Sequence, residues 1–292
     1  MKILNFGSLN IDHVYSVDHF ARPGETLGAR QYRQFAGGKG GNQSIALARA
    51  GSEVYHAGKI GQDGLWLRDR LEGSGVKTEF IQVTDKPTGH AIIQVTPDGE
   101  NCILLHAGAN HAITPQDAER VLLNFSPGDC LLLQNEISSV PDILRVASVL
   151  GLRIIFNPAP MQPEVNSYPL DVVDILIVNE HEGRQLTGEL DPEAVLTGLS
   201  RRFPRAAKVL TLGGRGVWFA EGKTRLKVPA VKVEAVDTTG AGDAFIGYFV
   251  AEICRRSKVE AALQLACQAA AVCVTRPGAA ESIPKRVELA RL

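Results

Sequence analysis

Asp237-Thr238-Thr239-Gly240-Ala241-Gly242-Asp243-Ala244-Phe245 lies between a β-branched, strand-like segment, Val228 to Val236, and an apolar segment, Ala244 to Cys254, with the character of a buried helix. The pattern predicts two glycines at a strand-to-helix turn and an aspartate at the helix start. A helix N-terminus presents unpaired N–H groups and the positive end of its dipole, so it receives anions. Glycine leaves no Cβ to hold a phosphate away from those N–H groups. For this motif alone, a glycine turn with Asp243 as an ordinary N-cap is the simpler reading. A carboxylate aimed at an anion site is costly unless chemistry requires it, which makes Asp243 a candidate catalytic residue. Its pKa is expected to be low so close to a helix N-terminus.

The chain has 292 residues, 45% hydrophobic and 22% charged, which suits one large α/β domain or a domain with a small appendage. A net charge of −1 gives no electrostatic footprint for nucleic acid. The five cysteines form no C-x-x-C pair and mostly lie in apolar runs, so they are expected to be buried thiols in a reducing compartment. Asn5 interrupts the N-terminal apolar residues, so no signal peptide is expected. No run reaches the roughly 18 apolar residues of a membrane span. A cytoplasmic globular protein is expected.

Along the chain, Lys2 to Phe6 is a strand followed by Asn10 and Asp12, at the strand end where parallel sheets carry ligands. An Asx turn is the equal alternative for these two. From His13 to Phe35 there are short strand-like pieces (Val14–Val17, Thr26–Gly28, Gln31–Phe35) and no helix pattern. Gly37-Gly38-Lys39-Gly40-Gly41-Asn42 leads into a helix, Gln43 to Ala50. The spacing is neither that of a Walker loop nor of a dinucleotide fingerprint, which disfavours a nicotinamide oxidoreductase. A small polar ligand held by backbone N–H groups, Lys39 and Asn42 fits better. Asp63 is placed to cap a helix from Gly64 to Leu71, and Thr88–Thr96 with Asn101–His106 form a β-hairpin. Strands and helices then alternate regularly, with Thr114-Pro115-Gln116-Asp117 and Asp191-Pro192 as helix starts. Polar residues recur just after strands: Asn10 and Asp12, Glu136, Asn157, Asn179 with Glu182. A doubly wound sheet gathers such positions along one edge.

Taken together, these residues resemble the ribokinase branch of the PfkB carbohydrate kinase family over essentially the whole chain. The strongest points are GGKGGNQ (Gly37 to Gln43) and DTTGAGDAF (Asp237 to Phe245). PGET (Pro23 to Thr26), AGANHAITP (Ala107 to Pro115), NPAP (Asn157 to Pro160), N-x-x-E (Asn179, Glu182) and TLGGRGVW (Thr211 to Trp218) add to them. The resemblance implies an α/β fold: a doubly wound, mostly parallel sheet with a small β-sheet lid. It implies a kinase domain of residues 1–10, 36–87 and 107–292 and a lid of residues 11–35 and 88–106, expected to cover the substrate and to be a candidate homodimer contact.

The resemblance also implies an ATP-dependent kinase acting on the primary hydroxyl of D-ribose. Another sugar (deoxyribose, a ketohexose) or a nucleoside is the alternative, and a non-catalytic sugar sensor the less favoured one. Asp243 would be the base, with Gly240, Ala241 and Gly242 forming an anion hole. The sugar would meet Asn10, Asp12, Gly38, Lys39, Asn42, Glu136 and Asp243. The nucleotide would lie along Asn179, Thr211, Gly213, Gly214, Gly216 and Gly242. Asn179 and Glu182 would act through water on Mg²⁺. Asp237, Thr239, Cys273, Arg276, Gly278 and Ser282 match a monovalent cation site, expected to take K⁺. Three departures stand out: Gly240 and Gly41 occupy positions where ribokinases often carry alanine, and Asn135 precedes Glu136 where an apolar residue is expected.

Overall fold

The computed structural model describes residues 1–289. Its main sheet runs, from one edge to the other, β13 (Thr224–Val228), β12 (Val217–Glu221), β11 (Ala207–Thr211), β10 (Ile175–Asn179), β9 (Arg153–Asn157), β8 (Cys130–Gln134), β1 (Ile3–Phe6), β4 (Val54–Ile60) and β5 (Lys77–Val83). From β11 to β5 every neighbour is parallel, and β12 and β13 add an antiparallel edge. A second sheet has the order β3 (Gln31–Gly37), β2 (Asn10–Ser16), β6 (Gly89–Val95), β7 (Asn101–His106). Its outer pairs are antiparallel and its central pair, β2 with β6, is parallel. The two departures from βα alternation in the sequence thus meet in one sheet.

Strand residues alternate between two cores, as a pleat covered on both faces requires. In β8, Cys130 and Leu132 face one core and Leu131 and Leu133 the other. The first core receives α1 (Lys39–Arg49), α2 (Leu65–Gly73), α7 (Ala241–Cys254), α8 (Val259–Val274) and Leu289 of the short α9 (Arg286–Leu289). The second receives α3 (Pro115–Leu122), α4 (Val140–Val149), α5 (Glu180–Thr187) and α6 (Pro192–Arg202). Helix α3 starts as the sequence predicts, with Thr114 and Asp117 in a reciprocal capping box around Pro115. Asp191 likewise caps α6.

Several expectations are corrected. The strand predicted over Val228 to Val236 ends at Val228, and residues 229–240 form an irregular segment. Its valines supply an exposed apolar wall rather than a strand: Val231, Val233 and Val236 are 37%, 42% and 67% exposed. Helix α7 begins at Ala241, so Gly240 is its N-cap and Asp243 stands in its first turn. Helix α1 begins at Lys39, earlier than the glycines suggest, because Gly38 absorbs a φ of 90° as N-cap. Asp63 does not cap α2; its carboxylate accepts from the Thr88 N–H (3.0 Å) and hydroxyl (2.7 Å), tying the start of β6 to the main sheet. The Thr26–Gly28 piece pairs with no strand. Of the cysteines, Cys102 is exposed and Cys254 half-buried, while Cys130, Cys267 and Cys273 are buried.

The helices that matter most to the site, α1 and α7, touch through Gly247. A Cβ built there would lie 2.3 Å from the Ala46 Cβ and 3.0 Å from the Ala46 carbonyl carbon. Alanine in place of mid-helix glycine ordinarily stabilises a helix by about 1 kcal/mol. Here Gly247→Ala is expected to destabilise by about 1–3 kcal/mol through overpacking, seen as a lower urea midpoint at unchanged slope. A stability gain would show that the two helices separate freely.

Candidate active site

Helix α7 points its N-terminus at the edge where the parallel strands end. Gly240 holds φ 76°, and a Cβ there would approach Ala279 to 3.1 Å, so glycine suits it on both counts. No acceptor among the described residues takes the N–H groups of Gly242 and Asp243. A Cβ on Gly242 would meet nothing within 4 Å. Beside these donors the Asp243 carboxylate accepts from Asn42 Nδ2 and Gln43 Nε2, both at 2.9 Å. Both amides come from the first turn and a half of α1, brought there by the α1–α7 contact. The low pKa expected for Asp243 is not found. Burial pushes it up from 3.8 to about 6, against the opposing charge of Lys39 and the two amide donors.

One helical turn back along α1, Lys39 serves a second carboxylate. Glu136 accepts from the Lys39 N–H (2.9 Å) and from the Ser8 hydroxyl (2.5 Å), with the Lys39 ammonium at 3.4 Å. The N–H groups of Gly40 and Gly41 are taken by the Ser8 hydroxyl and carbonyl. The start of α1, expected to offer its backbone donors to a ligand, therefore spends them on Glu136 and Ser8. Asn10 and Asp12 lie on β2, next to Gly37 at the end of β3. Asn10 Oδ1 accepts from Asn110 (2.7 Å), which leaves its own amide hydrogens for another partner. Gly37 lets the Asp12 carboxylate lie against the backbone, since a Cβ there would fall 2.2 Å from Asp12 Oδ2. Burial and then the Glu136 charge push Asp12 up to about 6, with Lys39 opposing. Lys39 itself is raised despite burial, by Glu136 and then Asp243. A cavity of about 510 Å³ opens beyond Asn10 and Glu136, with Asn135, Asn110, His111 and Tyr168 on its wall. The unexpected Asn135 donates to the Pro160 carbonyl (2.9 Å) and accepts from the Tyr168 hydroxyl (3.0 Å).

Ser8 and Gln43 were not singled out from the sequence, nor was the buried polar chain beneath them. Gln134 donates to Gln43 (2.7 Å) and to Asn5 (2.9 Å); Asn5 donates to the Gly40 carbonyl (2.7 Å) and Ser44 (2.8 Å); Ser44 meets His56 (2.8 Å). Burial takes His56 down to about 4, so the ring is neutral. Only the strand-end position of Gln134 could have flagged this chain; the rest depends on how closely α1 approaches β1.

On the other side of Asp243 a groove of about 690 Å³ runs along the sheet edge. Thr211, Gly213, Gly214, Gly216 and Gly242 line it, together with Val231 and Val233 of the irregular segment and Ala270, Ala271 and Val274 of α8. Asn179 and Glu182 do not line the groove themselves, but Asn179 pairs with Thr211 across β10 and β11, and the two form the capping box of α5. Asn179 Oδ1 accepts from the Glu182 N–H, and Glu182 accepts from both the Asn179 N–H and its side-chain amide, all at 2.9 Å. Glu182 is buried and its pKa raised by that burial.

Behind the α7 N-terminus, Asp237 accepts from the N–H groups of Thr239 and Gly278, each at 2.9 Å. These bonds outweigh burial and hold it below the ordinary carboxylate range. Cys273 Sγ lies 3.8 Å from the Thr239 carbonyl and 2.9 Å from the Ser282 hydroxyl. Asp237, Thr239, Cys273, Gly278 and Ser282 are thus gathered in one place. Arg276 turns its guanidinium to Glu288 (2.6 Å), leaving only its backbone on this side.

A raised carboxylate pKa means that ionising the group costs folded-state stability. The contribution is complete below the unfolded value of 3.8 and lost as pH climbs through about 6. Asp243→Asn carries no such loss. Its unfolding free energy relative to the parent should rise between about pH 4 and 6 and then level off, as measured by urea titration across that range. A difference independent of pH would refute the burial of Asp243.

Residues 1–286 match the model of the pfkB family carbohydrate kinases. A ribokinase from Haemophilus influenzae is 36% identical, the alignment covering 97% of this chain and 95% of that protein. The ribokinase of Cryptococcus neoformans var. grubii in complex with ADP superposes with a TM-score of 0.87 at 36% identity, covering 100% and 99% of the two chains. Arabidopsis thaliana ribokinase complexed with ribose and ATP gives 0.90 at 29% identity, covering 99% and 97%. With the glycine-started helices α1 and α7 meeting at one carboxylate, the chain belongs to the pfkB family of carbohydrate kinases.

Proposed function

We propose that this chain transfers the γ-phosphoryl group of ATP to the primary hydroxyl of D-ribose, giving ribose 5-phosphate. One observation carries the reading: the α7 start, with its free Gly242 N–H, lines one cavity, and the first turn of α1 joins Asp243 to Glu136 on the wall of another of different character. The groove lined by Gly213, Gly214 and Gly216 has largely apolar walls from residues 231–233 and α8, which suits a nucleotide. The cavity edged by Asn10 and Glu136 has the larger polar share, from Asn110, His111, Asn135 and Tyr168, which suits a polyol. The first turn of α1 connects them, with Lys39 at Glu136 and Asn42 at Asp243.

In this reading the sugar lies among Asn10, Asp12, Gly38, Lys39, Asn42 and Glu136. Asp12 accepts no hydrogen bond among the described residues and faces the Glu136 charge with only Lys39 opposing, so hydroxyl donors relieve it. Lacking one such hydroxyl, an analogue leaves a buried acceptor unpaired, which penalises it strongly. Asp243 aligns the reacting hydroxyl and takes its proton as the transition state develops. Gly240, Ala241 and Gly242 shape the anion hole at the positive end of the helix dipole, where the Gly242 and Asp243 N–H groups face the moving phosphoryl group and the Ala241 N–H is held by the Thr238 carbonyl (3.3 Å). The nucleotide follows Asn179, Thr211, Gly213, Gly214, Gly216 and Gly242.

The Glu182 oxygens each accept one N–H bond and keep a lone pair for metal-bound water, so Asn179 and Glu182 fit Mg²⁺ held with ATP, which neutralises phosphate charge. Asp237, Thr239, Cys273, Arg276, Gly278 and Ser282 fit a K⁺ held largely by carbonyls, with the Asp237 charge nearby. The small sheet exposes Ile103, Leu104 and Leu105 at 56%, 67% and 52%, an apolar edge suited to a second copy of the chain. The protein is then a homodimer through this lid, with residues 11–35 and 88–106 covering the sugar. Its free thiols suit the cytoplasm.

The test is coupled ADP release across pentoses and hexoses with Mg²⁺, with and without K⁺. D-ribose should give the highest kcat/KM, falling below about pH 6 as Asp243 and Asp12 protonate. Asp243→Asn should lower kcat by about 10²–10⁴-fold while ribose affinity persists. Turnover within about tenfold of the parent removes the base assignment, and no sugar-dependent ADP release removes the kinase.

A further inference from the structure

Two sulfurs at the pole opposite the site are drawn together by the fold. Cys130 is the first residue of β8, its N–H bonded to the Lys2 carbonyl (3.0 Å), and Cys254 is the last residue of α7. They are 124 positions apart in sequence, yet their Sγ atoms lie 2.8 Å apart. A disulfide bond is about 2.05 Å long, so closure requires an approach of about 0.8 Å. Both sulfurs hang from ends of core elements, which hold them in register.

The surroundings favour chemistry over inert packing. Cys130 is fully buried, whereas Cys254 is half-buried and gives the pair a way to solvent. Cys254 donates its S–H to Cys130, which holds the Cys130 thiol below its ordinary value against the push of burial, with the Arg153 charge adding to the effect. The same bond, and then burial, raises Cys254. One sulfur is thus disposed to be the thiolate and the other to keep its proton. The other cysteines lack such a partner: Cys102 is exposed on β7, Cys273 meets Ser282, and Cys267 lies among α8 apolar residues.

We propose that Cys130 and Cys254 form a reversible oxidation site, closing an intramolecular disulfide when a hydroperoxide reaches this pole and reopening with a dithiol reductant. With hydrogen peroxide, the Cys130 thiolate attacks one oxygen and the O–O bond breaks. Hydroxide leaves, takes up the proton Cys130 had lost, and departs as water; Cys130 is left as the sulfenic acid. The Cys254 sulfur then attacks the Cys130 sulfur, the S–O bond breaks, and the hydroxyl leaves with the Cys254 proton as a second water. Two thiols lose two electrons and one peroxide becomes two waters. The link joins the last turn of α7 to the sheet, about 16 Å along the helix from Asp243. It therefore stiffens the chain without touching the reacting groups.

The experiment uses the full chain carrying Cys102→Ser, which removes the exposed thiol and its cross-links. The protein is treated with hydrogen peroxide, alkylated, digested without reductant and read by mass spectrometry. The expected result is a linked Cys130–Cys254 peptide pair in most molecules, lost on adding dithiothreitol. The melting temperature should rise by about 5 °C or more on oxidation. Adding Cys254→Ser should abolish the link and let Cys130 proceed to sulfinic acid. Full alkylation of both thiols after oxidation would overturn the proposal, as would sulfinic acid on either residue of the intact pair without a link. These readouts do not depend on the reaction proposed above.

Discussion

The contact between α1 and α7, made possible by the missing side chain of Gly247 against Ala46, governs the rest of the structure. It brings two helix N-termini to one point and sets Asn42 and Gln43 on either side of the Asp243 carboxylate. Two influences then compete. Helix N-termini, amide donors and Lys39 favour the anion, while the protein packed around the carboxyl disfavours it. Burial wins, and Asp243 comes to about 6 instead of falling. A group poised there releases and takes a proton more readily near neutral pH than a strongly acidic carboxylate does.

The same helix start organises the surroundings of Glu136. Its backbone donors neutralise Glu136, with Ser8 completing the grip, so a buried acidic residue is held without isolating its charge. The small sheet runs straight into this arrangement: β3 ends at Gly37, Gly38 caps α1, and β2 lays Asp12 against Gly37. Any displacement of the small sheet is therefore delivered directly to the first turn of α1 and to Glu136.

Much of this was legible in the chain. Continuous apolar strands followed by polar residues announced a parallel sheet with its ligand edge, and the pieces around His13–Phe35 and Thr88–His106 announced a second sheet. Glycines before α1 and α7 marked the two helix starts. What misled was local resemblance. Val231 and Val233 have strand chemistry but face a groove, and Asp63 has the position of a cap but binds Thr88. The roles of Ser8 and Gln43 were hidden because each is defined by an element far away in sequence. The direction of the Asp243 shift was missed for a related reason, since spacing reveals a dipole but not how much protein surrounds a side chain.

The late place of α7 in the chain has a consequence for synthesis on the ribosome. A nascent chain that has emerged only through α6 already owns Asp12, Lys39 and Glu136, yet lacks the helix that covers Ile45 and Ala46 from the first core. Until α7 and α8 arrive, the apolar face of α1 stays uncovered, so the first core closes only when synthesis is nearly finished.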